Sequence, residues 1–441
     1  MSRLVLSSSI FKDIHQSLFR DENEACVILF GRSVILNGKL VRLVVRDLIV
    51  PLEIDYDIRT FTRVQLKSDF IATITKRARG TGESIIFVHS HPGSFDQFSK
   101  EDDDGEKILS DFLKNRTPNA IHASLLLTQN KFRARILGKK ESLTVHVVGT
   151  ELNKDSNFSE NAGSSKYERQ IRAFGKEGHE KLSSLTVAIV GLGGTGSIIA
   201  QQLAHLGVNK FHLVDPDVLE ESNLNRVVGT THLDLGKAKV DIIKRLICSV
   251  NPNAHVKVLK DSILKNSIAR NLTDADFIFG CTDSHGSRAI LNQLAYQYLV
   301  PTIDMGMVIN VQNKKIEHIA ARTQLLAPGL GCMVCGNLLD YEEVRRDLLT
   351  DFERKNDPYI PNETEPAPAV ISLNCTISSM AITMFLSCVA GIPGNARLIN
   401  YNAMTGVTRP AVCPTHPTCI VCSKNGSFAM ADDYKLPGRL D

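Results

Sequence analysis

The chain lacks a charge excess of either sign: across 441 residues, 51 Lys and Arg stand against 48 Asp and Glu, a formal net charge of +3. With no basic stripe and no alternation of aromatic and basic residues, nucleic acid is not an expected partner. Apolar runs of membrane-spanning length are also missing; the nearest, 377–390, is interrupted by serines and a threonine. The opening Met-Ser-Arg-Leu-Val-Leu-Ser has no long apolar core followed by a small-residue cleavage site. A cytoplasmic location away from membranes is therefore expected. No internal repeat is visible. Ten cysteines are present, four of them in two Cys-x-x-Cys pairs, which in a chain this long points to metal and catalytic use rather than to a disulfide framework. The length suits two or three domains, each able to bury a core.

The densest chemistry is His89-Ser-His91-Pro92 followed by Ser99-Lys-Glu-Asp102. Histidines at i and i+2, entered through the apolar run Ile85-Ile-Phe-Val88, share one face of a strand end and can point at one metal. With Asp102 as a third ligand, one tetrahedral position stays open for water, as in a catalytic zinc site, and water on zinc ionises near neutral pH. The pattern His-x-His-Pro-x6-Ser-x-x-Asp resembles that of the JAMM metalloisopeptidases. That resemblance implies a catalytic Zn²⁺ on His89, His91 and Asp102. It also implies a general base, matched here by Glu24 at the head of Ala-Cys-Val-Ile-Leu-Phe-Gly31, with Ser99 hydrogen-bonding the oxyanion. Glu22 is read as surface.

Residues 1–148 alternate strand-like runs with one or two helical ones. The polar stretch 149–166, rich in Ser, Asn and Glu, reads as a flexible linker. From Tyr167 onward strand and helix alternate, which predicts a parallel sheet covered on both faces through about residue 430, with 431–441 as a tail. The proline-rich stretch 355–368 reads as a loop over an active site.

Gly191-Leu-Gly193-Gly194-Thr-Gly196 falls between a predicted strand and a predicted helix, so phosphates would sit on the helix N-terminus. Asp215, 24 residues beyond Gly191, can accept from ribose hydroxyls. Alone this reads as a dinucleotide site. The residues that follow favour ATP: Asn223, Arg226 and Lys239 can bind phosphates, and Asp283 can hold Mg²⁺. Singly each reads as a surface cation or a helix cap; together they make a triphosphate site.

These motifs resemble those of the ThiF/MoeB and ubiquitin-activating adenylyltransferases over about 167–423. Tyr167-Glu-Arg169-Gln170-Ile is similar to that family's opening signature, whose arginine reaches the triphosphate from a partner subunit, which implies a homodimer. Cys332, Cys335, Cys419 and Cys422 look like its structural zinc site, with four thiolates and no open position; Cys413 and His416 offer an alternative ligand. The implied chemistry is attack on ATP by the C-terminal carboxylate of a ubiquitin-like or sulfur-carrier protein, with a Gly-Gly tail in a narrow groove. Cys375 is similar to the cysteine that accepts the modifier as a thioester in activating enzymes for autophagy-type modifiers, which implies a conjugating enzyme downstream. Its position before the apolar helix, read as starting at Ile377, would favour a thiolate; the other reading packs it, like Cys388, as a small apolar residue. Cys26, Cys248 and Cys281 are assigned to the core.

The expected architecture is thus α/β throughout: a JAMM metalloprotease domain at 1–148 and a Rossmann-like ThiF-type domain with a mostly parallel sheet at 167–430. The expected function is carboxylate activation plus zinc-dependent cleavage of precursors or conjugates. One rival has the same two domains activate a sulfur carrier and release a sulfurated product. A second is a non-catalytic scaffold for ubiquitin-like folds.

Overall fold

The computed structural model describes residues 2–93, 95–154, 165–350, 352–353, 357 and 367–439. The chain forms two compact units, one of 1–157 with 297–299 and 427–435, the other of 158–296 with 300–426 and 436–441.

The first unit contains β1 (Arg3–Ser7), α1 (Ser8–Leu18), β2 (Cys26–Leu36), β3 (Lys39–Ile49), β4 (Tyr56–Thr60), β5 (Arg63–Leu66), α2 (Ser68–Thr81), β6 (Ser84–Ser90), α3 (Lys100–Lys114), β7 (Ala123–Leu127), β8 (Phe132–Ile136), β9 (Ser142–Val148) and β10 (Leu152–Lys154). Three helices stand where one or two were expected. The main sheet runs β1-β3-β2-β6-β7-β8-β9-β10, and β1 also pairs in parallel with β9, so the sheet closes on itself. Successive side chains on a strand point to opposite faces, and both faces here are apolar. Val27, Leu29, Ile86 and Val88 join one core cluster, while Ile28, Phe30, Ile85 and Phe87 join another. Helix α1 packs on the first through Ile10, Ile14 and Leu18; α2 and α3 cover the second through Ile74, Ala78 and Leu113. Strand β10, paired with β9, occupies the start of the stretch read as a linker, of which 155–164 lie outside the described residues.

The second unit contains α4 (Glu168–Ser184), β11 (Thr186–Val190), α5 (Gly194–Leu206), β12 (Lys210–Val214), α6 (Lys239–Val250), β13 (His255–Leu259), α7 (Asn266–Asn271), β14 (Phe277–Gly280), α8 (His285–Gln297), β15 (Thr302–Gln312), β16 (Lys315–Leu326), α9 (Tyr341–Leu348), α10 (Ile371–Val389), β17 (Leu398–Asn402) and β18 (Val407–Pro410). Its sheet runs β13-β12-β11-β14-β15-β16-β17-β18. Pairing is parallel from β13 to β15 and antiparallel from β15 to β18, so the sheet is mixed, with the parallel pairings in the majority as expected. The switch has a local cause: Asn313 and Lys314 between β15 and β16 have φ of 49° and 61°, the paired left-handed residues of a tight hairpin.

Helix α10 starts at Ile371, earlier than expected. Its 19 residues pass the length and composition test for a membrane span, which corrects the sequence reading. It buries Asn374, Ile377, Ser378, Ala381 and Phe385, and Ser378 Oγ donates to Thr195 O of α5 at 3.2 Å; these are the contacts of a core helix. Most of the stretch 355–368, read as a loop over an active site, lies outside the described residues.

Candidate active sites

In the first unit, β6 carries His89 in the sheet and ends at Ser90, one residue before His91. Cys26 of β2 lies opposite His89, so this cysteine, half-exposed, borders the site instead of lying in the core. Ser90 between the histidines is fully buried and its Oγ accepts the Ala25 N–H at 3.0 Å, which fastens the strand end to the residue after Glu24. The carboxylate beside the histidines comes from α3. Ser99 is the N-cap: its Oγ accepts the Asp102 N–H at 3.1 Å, and Asp102 Oδ2 accepts the Ser99 N–H at 2.6 Å, the reciprocal capping box.

That box aims the carboxylate. Asp102 Oδ1 lies 3.1 Å from His89 Nε2, and Oδ2 lies 3.5 Å from His91 Nε2. Glu24 Oε1 is 4.0 Å from His91 Nε2. His91 Nδ1 meets the Phe95 carbonyl at 3.0 Å; a carbonyl only accepts, so Nδ1 carries a proton and Nε2 is the nitrogen turned toward Asp102 and Glu24. Burial pushes the Asp102 carboxyl up, but the His89 and His91 rings outweigh it and hold the group far below the carboxylate range. Burial also pushes Glu24 up, against the pull of His91 and His89. His89 Nε2 is buried without a hydrogen bond of acceptable geometry, and the three ligand atoms lie within 4.8 Å of one another. An orphaned imidazole nitrogen facing a carboxylate and a second imidazole fits a bound zinc ion.

In the second unit Cys332, Cys335, Cys419 and Cys422 converge. Their sulfurs are 3.7 Å apart for Cys332–Cys335, 3.5 Å for Cys332–Cys419 and 3.4 Å for Cys335–Cys422. Zinc–sulfur bonds of about 2.3 Å in a tetrahedron put sulfurs about 3.8 Å apart, so the set fits a closed zinc site. Cys413 and His416 lie outside the four: Cys413 Sγ points at the Cys332 carbonyl, and His416 gives only its backbone N–H to Cys335 Sγ.

The glycine motif turns from β11 into α5. Gly191 has φ of 86°, and a Cβ on Gly196 would fall 1.8 Å from Gly191 O; both positions require glycine. Around Gly193 the same space is open, leaving room for a phosphate at the helix N-terminus. Asp215 is buried, with Oδ2 accepting the Leu192 N–H at 2.6 Å and Oδ1 the Asp217 N–H at 2.8 Å. It therefore holds the loop, and only its remaining lone pairs can serve a ribose. Lys239, the first residue of α6, pairs with Asp217 at 2.8 Å. Asn223 is buried and caps its own turn, while Arg226 donates to Ser222 O at 2.5 Å. Arg226 Cδ and Asn374 Nδ2 both come within 3.5 Å of where a Gly194 Cβ would be. Asp283 is exposed and lines a cavity of about 810 Å³ with Arg288 and Arg322. Arg169 is exposed on α4 and makes no ion pair among the described residues.

Cys375 is half-exposed inside α10, four residues past its first. The helix-terminus effect falls off within the first turn, so that argument for a thiolate loses most of its force. Sequence reasoning missed Asp217 and Asn374. Neither lies in a motif, and their placement depends on a bridge to α6 and on the packing of α10 over α5.

Residues 7–137 match the family described as prokaryotic homologs of the JAB domain, and residues 167–421 match the ThiF family. The molybdopterin-synthase adenylyltransferase of Escherichia coli K12 is 27% identical over 263 residues, covering 59% of this chain and 96% of that protein. The SAMP-activating enzyme E1 of Haloferax volcanii is 26% identical, covering 59% of this chain and 88% of that protein. Among solved structures, Escherichia coli MccB with MccA-N7isoASN is 20% identical with a TM-score of 0.49, covering 59% of this chain and 76% of that one.

Proposed function

The chain belongs to the ThiF family, with a JAB domain N-terminal to the ThiF domain, and from this premise we propose that it uses ATP to activate the C-terminal carboxylate of a ubiquitin-like or sulfur-carrier protein. The relatives named for molybdopterin-synthase adenylylation and SAMP activation support this reading. The observation that carries it is the glycine loop with its open Gly193 face, with Arg226 beside Gly194 and Thr282, next to Asp283, beside Gly191.

The N-terminus of α5 and the two cations bind the triphosphate, and Asp283 supplies the carboxylate for Mg²⁺. A carboxylate oxygen of the tail forms a bond to the α-phosphorus, the bond to the β-phosphate breaks, and pyrophosphate leaves with the electron pair. Cys375 then attacks the acyl carbon of the adenylate and expels AMP. Exposed Arg169 completes the triphosphate site of a second subunit in a homodimer acting in the cytoplasm.

The JAB domain hydrolyses a bond beyond the same tail. Zinc held by His89, His91 and Asp102 would supply Lewis acidity there. Glu24 takes a proton from the attacking water and returns it to the leaving amine. Ser99 Oγ accepts from Asp102 N, so its own hydroxyl proton is free to donate to the oxyanion. ATP–pyrophosphate exchange stimulated by a carrier ending in Gly-Gly tests the activation step. Absence of exchange with every such carrier would overturn it. A sulfur carrier fits the same geometry, and the relative from Escherichia coli favours it.

A further inference from the structure

The antiparallel half of the second sheet carries a row of cations that crosses its strands. Gly306 pairs opposite Arg322, Arg322 opposite Asn400, and Asn400 opposite Arg409. Residues directly opposite on neighbouring strands project from the same face, so these four positions form one line across β15, β16, β17 and β18. All four line the 810 Å³ cavity that also holds Asp283. Gly306 has no side chain, and that space is used by Arg288, whose Nη2 would lie 3.2 Å from a Cβ there. The line therefore reads Arg288, Arg322, Asn400, Arg409.

The cations are unequally balanced. Asp304, fully buried, lies 2.5 Å from Arg322 Nη2 and 3.5 Å from Arg288 Nε, so one carboxylate holds two guanidinium groups in place. Arg409, on exposed β18, has no anionic partner among the described residues. The next row on the same face begins with Val308 on β15 and ends with Val407 on β18, both exposed and both in the cavity wall. A cationic row beside an apolar margin suits an extended polypeptide with acidic and apolar side chains.

Resting on the activation reading, we propose that this face selects the substrate by charge, taking a polypeptide tail with an acidic side chain a few residues before its C-terminal carboxylate. Strands about 4.8 Å apart put Arg409 about 14 Å from the Gly306 end of the row, where Asp283 and Arg288 stand. An extended chain advances about 3.3 Å per residue, so the acid meeting Arg409 lies about four or five positions from the terminus.

The test uses the full chain with a nonhydrolysable ATP analogue and two fluorescein-labelled octapeptides ending in Gly-Gly. They are identical except that positions four and five from the end are both Glu in one and both Lys in the other. Anisotropy should show the Glu peptide binding about tenfold tighter, by a margin that narrows as salt is raised. Arg409→Glu, on an exposed edge strand where it disturbs no core, should abolish or invert the preference, with Arg409→Gln intermediate. Equal binding of the two peptides, or a preference that survives Arg409→Glu, would overturn the proposal. Pyrophosphate release is read separately. If it fails with every peptide while the Glu preference stands, the activation reading falls and charge selection by this face is upheld.

Discussion

Ser99 and Asp102 hold each other in place: each accepts the other's backbone N–H through a side-chain oxygen, at 3.1 Å and 2.6 Å. One pair of residues thus starts α3 and turns the Asp102 carboxylate toward His89 and His91. Ser99→Ala should cost about 1 kcal/mol in stability, as N-cap losses do. Peptide-bond cleavage should fall by about a hundredfold or more, as when an oxyanion donor is removed. Urea unfolding and turnover of a Gly-Gly-linked fusion measure the two effects. Equal turnover by variant and parent would reduce Ser99 to a cap.

The two metal sites should load independently. Elemental analysis should find two zinc ions per chain, one after His89→Ala and one after Cys335→Ser. Only the cysteine variant should lose thermal stability of the ThiF domain, since closed thiolate sites contribute folding energy and catalytic ones much less. Cys413→Ser should keep both ions. Loss of one in that variant would make Cys413 a ligand.

Glycine substitutions separate space for the fold from space for a ligand. Gly196→Ala should unfold or strongly destabilise the second unit, because its Cβ would sit 1.8 Å from Gly191 O. Gly193→Ala meets nothing within 4 Å and should leave the melting temperature unchanged while weakening ATP binding about tenfold or more. Calorimetric titration with ATP decides it; unchanged affinity would place the phosphates elsewhere.

His122 adds a pH dependence to stability. Its Nδ1 accepts the Ile85 N–H at 3.0 Å and its Nε2 lies 2.8 Å from Thr117 Oγ1. Burial lowers its pKa from 6.5 to about 4. The unfolded chain therefore takes up a proton before the folded one does, and this group's cost to stability grows as pH falls from about 6.5 to about 4, reaching up to about 3 kcal/mol. Urea unfolding at pH 7 and pH 5 should show the loss, and His122→Gln should flatten it. A slope unaltered by the substitution would assign the acid sensitivity to other groups.

The two activities should separate by mutation. Glu24→Ala should abolish cleavage and spare pyrophosphate exchange, and Asp283→Ala should do the reverse. Cys375→Ala should retain exchange and lose any thiol-labile adduct with the carrier, read by non-reducing intact mass. A thiol-labile adduct persisting in that variant would move the acceptor role to another cysteine.

The first candidate site could be recognised from a short segment because it draws most of its residues from one stretch. His89, His91, Ser99 and Asp102 lie within fourteen positions, and a strand end followed by a helix cap is legible there. The glycine motif likewise states its own turn, since Gly191 and Gly196 admit no side chain. The Cys-x-x-Cys pairs marked a cluster of four thiols, though 87 residues separate Cys332 from Cys419, because thiol spacing is itself a signal.

Tertiary structure decided the rest. That Lys239 answers to Asp217, that Asn374 lies against the glycine loop, and that α10 begins early enough to take Cys375 into its second turn depend on contacts between distant segments. The extent of the antiparallel half was not legible because it turns on two left-handed residues, Asn313 and Lys314, in a hairpin loop lacking the usual glycine. The line to Arg409 exists through strand register, which aligns Gly306 with Arg409 across 103 positions, and through α8, which sets Arg288 over Gly306. Chain order records neighbours along the backbone, whereas register is set by how buried faces pair across it, and a shift of one residue would turn Arg322 or Arg409 to the other face.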